Sequence, residues 1–481
     1  MRRILTILCI FLLLAIPAGS MLSLSSQLGQ HADDVKITQT TVFGDRSAAG
    51  GITVDLWTEY RDASFWNTRC TIGETMETET TFYPSSPFEK ETTSLKVPKF
   101  GITLRDSIGY DYGDGVIPGT QNGLNDAFDA LAAEILPGES KEKKITLADY
   151  MEYYALQVDI TVPSDDHLGY DEILATSRVI KDEKAASSWL SNLEPGSDQY
   201  VAQQFQEFFK IPVLPAEKIK IGLDKNRSGE IGSTSYGNDE SEMANLYSQF
   251  DVMTEDAIYF TFRGHGTAGT LYDFSQVPGG YGIYKLPYSR ADGVDASQLS
   301  MVYSLDPTIE ILAMELSPDQ SDILLHTLEN GTYRMTVIDL DTMTAKQYIE
   351  TLHDMEFTYA WDSWQGDDFM VIQYSDRLMV FSITGDGSYQ LDFAAQLPES
   401  DDEGWRWPDA SDVMIYDGER LVVAGELLGT DVRDAFCLTV YNRDGIAYHG
   451  AYKTSFNPEE VDSYSWSCNL LYENPLRLSW N

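Results

Sequence analysis

The segment from Ile309 to Leu352 alternates apolar runs and turn residues at a spacing that leaves little room for anything but an antiparallel meander. IEILAMELS is a strand-like run, PDQS a turn, DILLHTL a second strand and ENGT a second turn, followed by YRMTVIDL, the turn DTMT and AKQYIETL. The Asn330-Gly331 pair suits a two-residue hairpin, whose central positions need positive φ. A lone sheet of this kind cannot bury both faces, so it requires neighbours built the same way.

Such neighbours follow at once. FTYAWD, DDFMVIQY, RLMVFSI and SYQLDFAAQ make a second unit, with Thr384-Gly385-Asp386-Gly387 at one turn. DVMIYD, RLVVAGEL, AFCLTVYN and IAYHGAYKT make a third, with Asp444-Gly445 at its last hairpin. Units of roughly 40 to 50 residues with four strands each are the sequence signature of propeller blades. The third strands end comparably, at Val337-Ile338-Asp339, Val380-Phe381-Ser382 and Val440-Tyr441-Asn442, but their offsets are unequal, so the repeat is elastic.

The chain resembles the WD40/YVTN-like propeller superfamily, specifically blades written S-P-D-G, hairpin, then a V-x-D-x-D-T turn. Ser317-Pro318-Asp319 and Val337-Ile338-Asp339-Leu340-Asp341-Thr342 carry the likeness, with Gln320 in place of the usual glycine. The Gly-His and Trp-Asp signatures of true WD40 repeats do not recur. The resemblance implies an all-β fold, a β-propeller, and no particular activity. Counting units along the chain gives about seven four-stranded blades, with six and eight as alternatives.

Upstream, DAIYFTF and YGIYKLPY read as strands of another blade, and EKIKIGLDKNRSGEIGSTS as a hairpin. KITQTTVF, GITVDLWTEY, FWNTRCTIG and TETTFYP read as a first blade, and the closing SYSWSCNLLYENPLRLSW is strand-like. Propellers commonly join both chain ends in one blade, which removes an exposed edge. Two helical patterns interrupt this half, near residues 122–138 (Leu124, Phe128, Leu131, Ile135) and 184–212 (Val201, Phe205, Phe208, Phe209). Both are expected to pack as small insertions on the rim. One propeller domain over 33–481 is thus expected behind an N-terminal targeting segment.

That segment occupies residues 1–24. Arg2 and Arg3 precede the apolar run Ile4–Ala18, and Ala18-Gly19-Ser20 supplies the small residues that a signal peptidase reads. Met21-Leu22-Ser23-Leu24 could extend the run enough to span a bilayer, so a cleaved signal peptide and a retained anchor are equally expected. Export follows in either case, and membrane contact is expected only through this helix. The 76 acidic against 33 basic residues give a formal charge of -43, which excludes phosphate backbones as partners. Cys70, Cys437 and Cys468 are too few and too odd in number for a disulfide framework, and buried free thiols are at least as well supported as a single bridge.

Four local patterns invite a chemical reading. Gly264, Gly266 and Gly269 follow a strand-like run in dinucleotide-fingerprint spacing, but Thr270–Val277 is too short for the crossover helix such a site needs. They are expected to form an inter-strand loop. Asp224, Asn226, Ser228, Gly229 and Glu230 match the first half of a calcium loop, while Ser235 stands where the bidentate glutamate belongs. The same residues suit a hairpin turn, so no cofactor is required and Ca2+ is the one the sequence could hold. Trp361 and Trp364 in WDSWQGDD, and Trp405 and Trp407 in DDEGWRWPD, combine flat aromatics with carboxylates, as a sugar-binding face would. Wedging between sheets is the competing role for these rings. The six histidines fall in no H-E-x-x-H, and G-x-S-x-G, P-loop and C-x-x-C motifs do not occur.

The expectation is an exported binding or scaffolding module for an extracellular protein or glycan. An extracellular carbohydrate hydrolase or lyase, and an accessory or sensor subunit of a membrane complex, are the alternatives.

Overall fold

The computed structural model of the protein describes residues 37–60, 64–73, 75–83, 99–105, 120–121, 124–163, 170–176, 179–180, 198–237, 250–264, 271–289, 293–358, 361–397, 412–426, 435–454 and 476–481, with Gly19 and Pro408 as single residues. The fold is all-β and of the propeller type, built from antiparallel sheets of short strands with few helices. Two compact units share the chain. One combines both ends, Met1–Thr92 with Thr358–Asn481, and the other is the middle, Thr93–Phe357.

In the middle unit, Glu310–Leu316, Asp322–Glu329, Thr332–Asp339 and Thr344–Thr351 pair in chain order. The second strand is buried along nearly its whole length, whereas the fourth alternates exposed and half-buried positions. A strand covered on both faces reads as a continuous apolar run, and one with a wet face alternates. Asn330 and Gly331 take φ of 50° and 76°, so the hairpin turn is the one their side chains favour.

At the S-P-D-Q turn, Gln320 occupies the position normally given to glycine and adopts φ 57°. Its N–H still donates to Ser317 O at 2.8 Å, and Asp322 N donates to Ser317 Oγ at 3.0 Å. The turn thus keeps its geometry with a side chain in the left-handed region, which costs about 1 kcal/mol.

Upstream in the same unit, a five-stranded sheet contains Phe250–Met253, Ala257–Thr261, Gly282–Ser289, Gly293–Val294 and Ser300–Ser304. Two three-stranded sheets pair strands distant in sequence. Lys218–Lys225 lies between Ser140–Thr146 and Ile231–Gly237, and Ala155–Pro163 lies between Lys99–Arg105 and Tyr170–Thr176. The helices Asn125–Ala133 and Asp198–Phe208 intervene.

Those helices do not sit on a rim. Phe128, Leu131, Phe205 and Phe209 are fully buried within this unit's main core. Phe209 meets Tyr284 edge-to-face at 4.8 Å and Phe262 at 5.0 Å, while Phe205 lies 6.3 Å from Phe260. Each buried aromatic contributes roughly 1.5–3 kcal/mol through burial, so a face this rich in phenylalanine is drawn into the core.

Among the described residues, the unit that holds both chain ends contains three sheets. Trp361–Gln365, Phe369–Tyr374, Arg377–Ile383 and Tyr389–Gln396 form one meander, and Val413–Tyr416, Leu421–Glu426, Ala435–Asn442 and Gly445–Thr454 form another. KITQTTVF, expected in the first blade, instead joins this second meander: Ile37–Gly44 pairs with Gly445–Thr454 as a fifth strand. The first sheet is Ile52–Tyr60, Ser64–Ile72 and Glu77–Tyr83, completed by Leu476–Trp480 from the far end of the chain.

Side chains lock this arrangement. Asn481 N donates to Gly51 O at 2.8 Å, and Thr53 Oγ1 donates to Asn481 Oδ1 at 2.9 Å. Arg420 reaches across from the Tyr416–Leu421 hairpin: Nη1 donates to Ala48 O (2.9 Å) and Gly50 O (3.1 Å), and Nε donates to Asp417 Oδ2 (2.9 Å). Its guanidinium also lies 4.7 Å from the Trp480 ring centroid. A planar cation with several fixed donors can serve all these partners together, and an ammonium cannot.

Arg420→Ala is therefore expected to lower the unfolding free energy by about 1–3 kcal/mol, with Arg420→Lys recovering little of it, as measured by denaturant titration. Gln320→Gly is expected to raise stability by about 0.5–1 kcal/mol in the same assay, because glycine carries no penalty at that φ.

Candidate functional site

The glycine-rich stretch resolves first. Ala257–Thr261 runs into Gly264, and the chain returns as Gly282–Ser289, antiparallel to the strand it left. Tyr272 N donates to Gly264 O at 2.9 Å, closing the excursion onto itself. A Cβ on Gly264 would lie 2.6 Å from Pro307 O and 3.3 Å from the Tyr281 ring, so close packing explains this glycine. Gly266 and Gly269 lie outside the described residues.

The calcium-like residues form the turn of a hairpin. Asp224 stands at the end of Lys218–Lys225, and both its carboxylate oxygens accept from Ser233 Oγ at 2.8 Å. Asn226 Oδ1 accepts from Ser228 Oγ (2.6 Å) and from Glu230 N (2.9 Å). The Glu230 carboxylate accepts from Asn226 Nδ2 and Ser228 Oγ, both at 3.1 Å, and these bonds hold it below the usual carboxylate range. Ser235 lies within the return strand, opposite Gly222. The oxygens are thus directed at one another's donors, and among the described residues no group of three or more His, Cys, Asp or Glu side chains is arranged to hold a metal.

Trp361 and Trp364 share the strand Trp361–Gln365, which pairs with Phe369–Tyr374. Three positions apart on a strand, they project to opposite faces. Trp364 packs against the core of Phe369, Val371, Val380 and Phe393. Trp361 lies opposite Tyr374 across the strand pair, with ring centroids 6.3 Å apart, and is half-buried. Asp362 is half-buried beside it, and Asp367 and Asp368 are exposed at the hairpin that follows. The two indoles therefore cannot make one flat platform. Trp405 and Trp407 lie outside the described residues.

Two further polar clusters lie outside the predicted sites. In the middle unit, Tyr154 Oη donates to the buried Glu217 carboxylate and accepts from Leu214 N at 3.2 Å, while Gln206 Nε2 donates to Tyr154 O at 3.1 Å. Burial pushes the Tyr154 phenol well above its usual range. Helix, extended segment and strand are tied here by residues far apart in sequence, so only the fold reveals the tie.

The second cluster explains the repeat motif. Lys346 Nζ bridges the nearly buried Asp322 (2.6 Å) and Asp339 (2.9 Å), and Asp339 Oδ1 also accepts from Thr342 N and Oγ1 at 2.8 Å. Lys346 and then Thr342 hold the Asp339 carboxyl down at about 2. In the V-I-D-L-D-T turn the aspartate is therefore structural. Cys70 is a buried free thiol, Cys437 is buried, and Cys468 lies outside the described residues.

No protein-family model matches the chain, and no curated protein does. Solved structures that it resembles include a Bacteroides uniformis protein assigned provisionally as a 6-phosphogluconolactonase (14% identity, 48% of this chain and 63% of that one, TM-score 0.25). Others are a Lactobacillus plantarum protein (10%, 84% and 98%, 0.25) and the β-propeller domain of the Trilobed protease from Pyrococcus furiosus (9%, 65% and 71%, 0.22). The chain spans less than two thirds of the first of these. Similarity this low bears on neither substrate nor partner, and the fold rests on the meanders themselves.

A pH test addresses the turn network. A carboxyl lowered in the folded state stabilises fully above its ordinary value of 3.8, and that contribution disappears as pH falls toward about 2. The unfolding midpoint of the native chain should exceed that of Lys346→Met at neutral pH, and the gap should narrow between pH 4 and pH 2 in a denaturation series.

Proposed function

We propose that the protein is an exported binding module that engages an extracellular glycan through the face presented by Trp361. The observation that supports this reading is the strand WDSWQ: its first four residues are half-buried, and it leads into the exposed Asp367 and Asp368. Aromatic faces take the apolar side of a sugar ring while carboxylates accept from its hydroxyls. The formal charge of -43 favours a neutral, hydroxyl-rich ligand over an anionic one. In sequence, Trp405 and Trp407 add a second acidic, aromatic segment of the same composition.

Export rests on Arg2, Arg3 and the apolar run that follows them. Among the described residues no helix is long and apolar enough to cross a membrane, and the N-terminal run lies outside them. Mass spectrometry of the mature N-terminus distinguishes a cleaved signal from a retained anchor.

Binding is tested on a glycan array with three variants. Trp361→Ala should weaken binding by about tenfold or more while leaving the unfolding midpoint nearly unchanged. Trp364→Ala should act through the core instead, lowering stability by about 3 kcal/mol. Trp405→Ala asks whether the second aromatic segment takes part. Absence of glycan binding by the native chain, or equal binding by Trp361→Ala, would refute the assignment.

A further inference from the structure

The connection between Ile37–Gly44 and Ile52–Tyr60 is a single 3-10 turn, Arg46–Ala49, capped by Asp45, whose carboxylate accepts from Ser47 N at 2.9 Å. Arg46 is half-buried in this turn, which joins a strand of the five-stranded sheet to a strand of the first sheet. Its Nε and Nη2 are buried and have no hydrogen-bond partner among the described residues. Those two N–H groups form the edge of the fork that normally receives a carboxylate or phosphate, as Arg334 receives Glu350 elsewhere in the chain. Leaving such a pair of charged donors unmet is costly.

The neighbours of Arg46 are also rich in donors. Tyr452 is fully buried, stacked on Phe436 with ring centroids 4.9 Å apart. Its hydroxyl lies 2.9 Å from that of Tyr448, which receives Gln39 Nε2 at 2.8 Å. Two phenol hydrogens share the single bond between them, so one has no acceptor within this trio. Cys70 lies in the same core. Burial pushes its thiol up to about 11, and a neutral thiol supplies no anion to the guanidinium. Gly44 pairs with Tyr448 and Asp45 N donates to Ala447 O at 3.1 Å, which sets the turn that carries Arg46 beside this strand, and the Arg46 charge acts on both Cys70 and Tyr452.

We infer that the surroundings of Arg46 are a binding site for a small oxyanion, whose oxygens accept from Arg46 Nε and Nη2 and from the spare hydroxyl of the Tyr448 and Tyr452 pair. Arg46 comes from the connection between the first two strands of the chain, and the tyrosines from Gly445–Thr454, so a bound anion would link the segments that close this unit. The shared chemistry is that of an inorganic phosphate or sulfate and of the carboxylate of a small acid.

Thermal unfolding of the full chain in phosphate, sulfate and acetate, each against chloride at equal ionic strength, tests the assignment and separates these sources. At least one oxyanion should raise the midpoint in a saturable way. Arg46→Met, which keeps the apolar stem, should abolish that shift, and Tyr452→Phe, which keeps the stacking on Phe436, should weaken the fitted Kd by about three- to tenfold. Circular dichroism confirms that the variants fold, and Arg46→Lys, which retains the charge without the fork, replaces Arg46→Met should the latter not fold. It should lose most of the affinity. A native chain that responds to every oxyanion as to chloride, or an unchanged shift in the Arg46 variant, overturns the site and leaves water as its occupant.

Discussion

The unit containing both chain ends depends on one pairing, that of Leu476–Trp480 with Ile52–Tyr60. Without it, Ile52–Tyr60 would offer an unpaired edge of backbone donors and acceptors beside an apolar core that includes Ile52, Val54 and Leu56. The pairing joins residues at opposite ends of the sequence, so loop-closure entropy opposes it until much of the intervening chain has folded. Arg420 offsets part of that cost: it ties the hairpin of the last meander to the connection after the first strand and to Trp480 in the closing strand. The second pairing, Ile37–Gly44 on Gly445–Thr454, covers another edge in the same unit. Two strand exchanges and one guanidinium thus close this unit.

The meanders from Glu310 onward were legible in the sequence because local chemistry dictates them. Asn330-Gly331 specifies its own turn, and the fully apolar DILLHTL marks a strand covered on both faces, while AKQYIETL alternates as an outer strand must. The upstream half was less legible. There, the strands Ser140–Thr146 and Lys218–Lys225 are neighbours across a helix and a long connection, and nothing local encodes such a pairing. The placement of Ile37–Gly44 shows the same limit: its residues state that it is a strand and not which edge it covers. The helices were identified by their period, but only packing shows that Phe205 and Phe209 enter the core.

Site chemistry was legible in a narrower sense. The side chains that read as metal ligands, Asp224, Asn226, Ser228 and Glu230, are occupied by one another's donors or by Ser233, and the repeat-motif residues Asp339 and Thr342 by each other and by Lys346. Turn residues and ligand residues are the same residue types, and a hairpin consumes them first. Conversely, Arg46 sits in the unremarkable string GDRSAAG, and its significance appears only when burial and the count of donors are known.

The two proposed ligand sites answer to different electrostatics, and this is why one chain can carry both. At a solvated strand such as Trp361–Gln365, a net charge of -43 repels anions, and with screening lengths of about 8 Å in physiological salt the nearby Asp362, Asp367 and Asp368 set the local potential. A ligand there must be neutral or cationic and must offer hydroxyl donors. Around Arg46 the charge acts on a thiol kept neutral by burial and on the buried Tyr452, and among the described residues its buried Nε and Nη2 meet no carboxylate, so those donors are only weakly screened. Acidity over the whole surface therefore does not forbid an oxyanion beside Arg46. It reduces the concentration of anions outside, slowing their arrival, while the affinity once bound is set by the fork of donors that receives them.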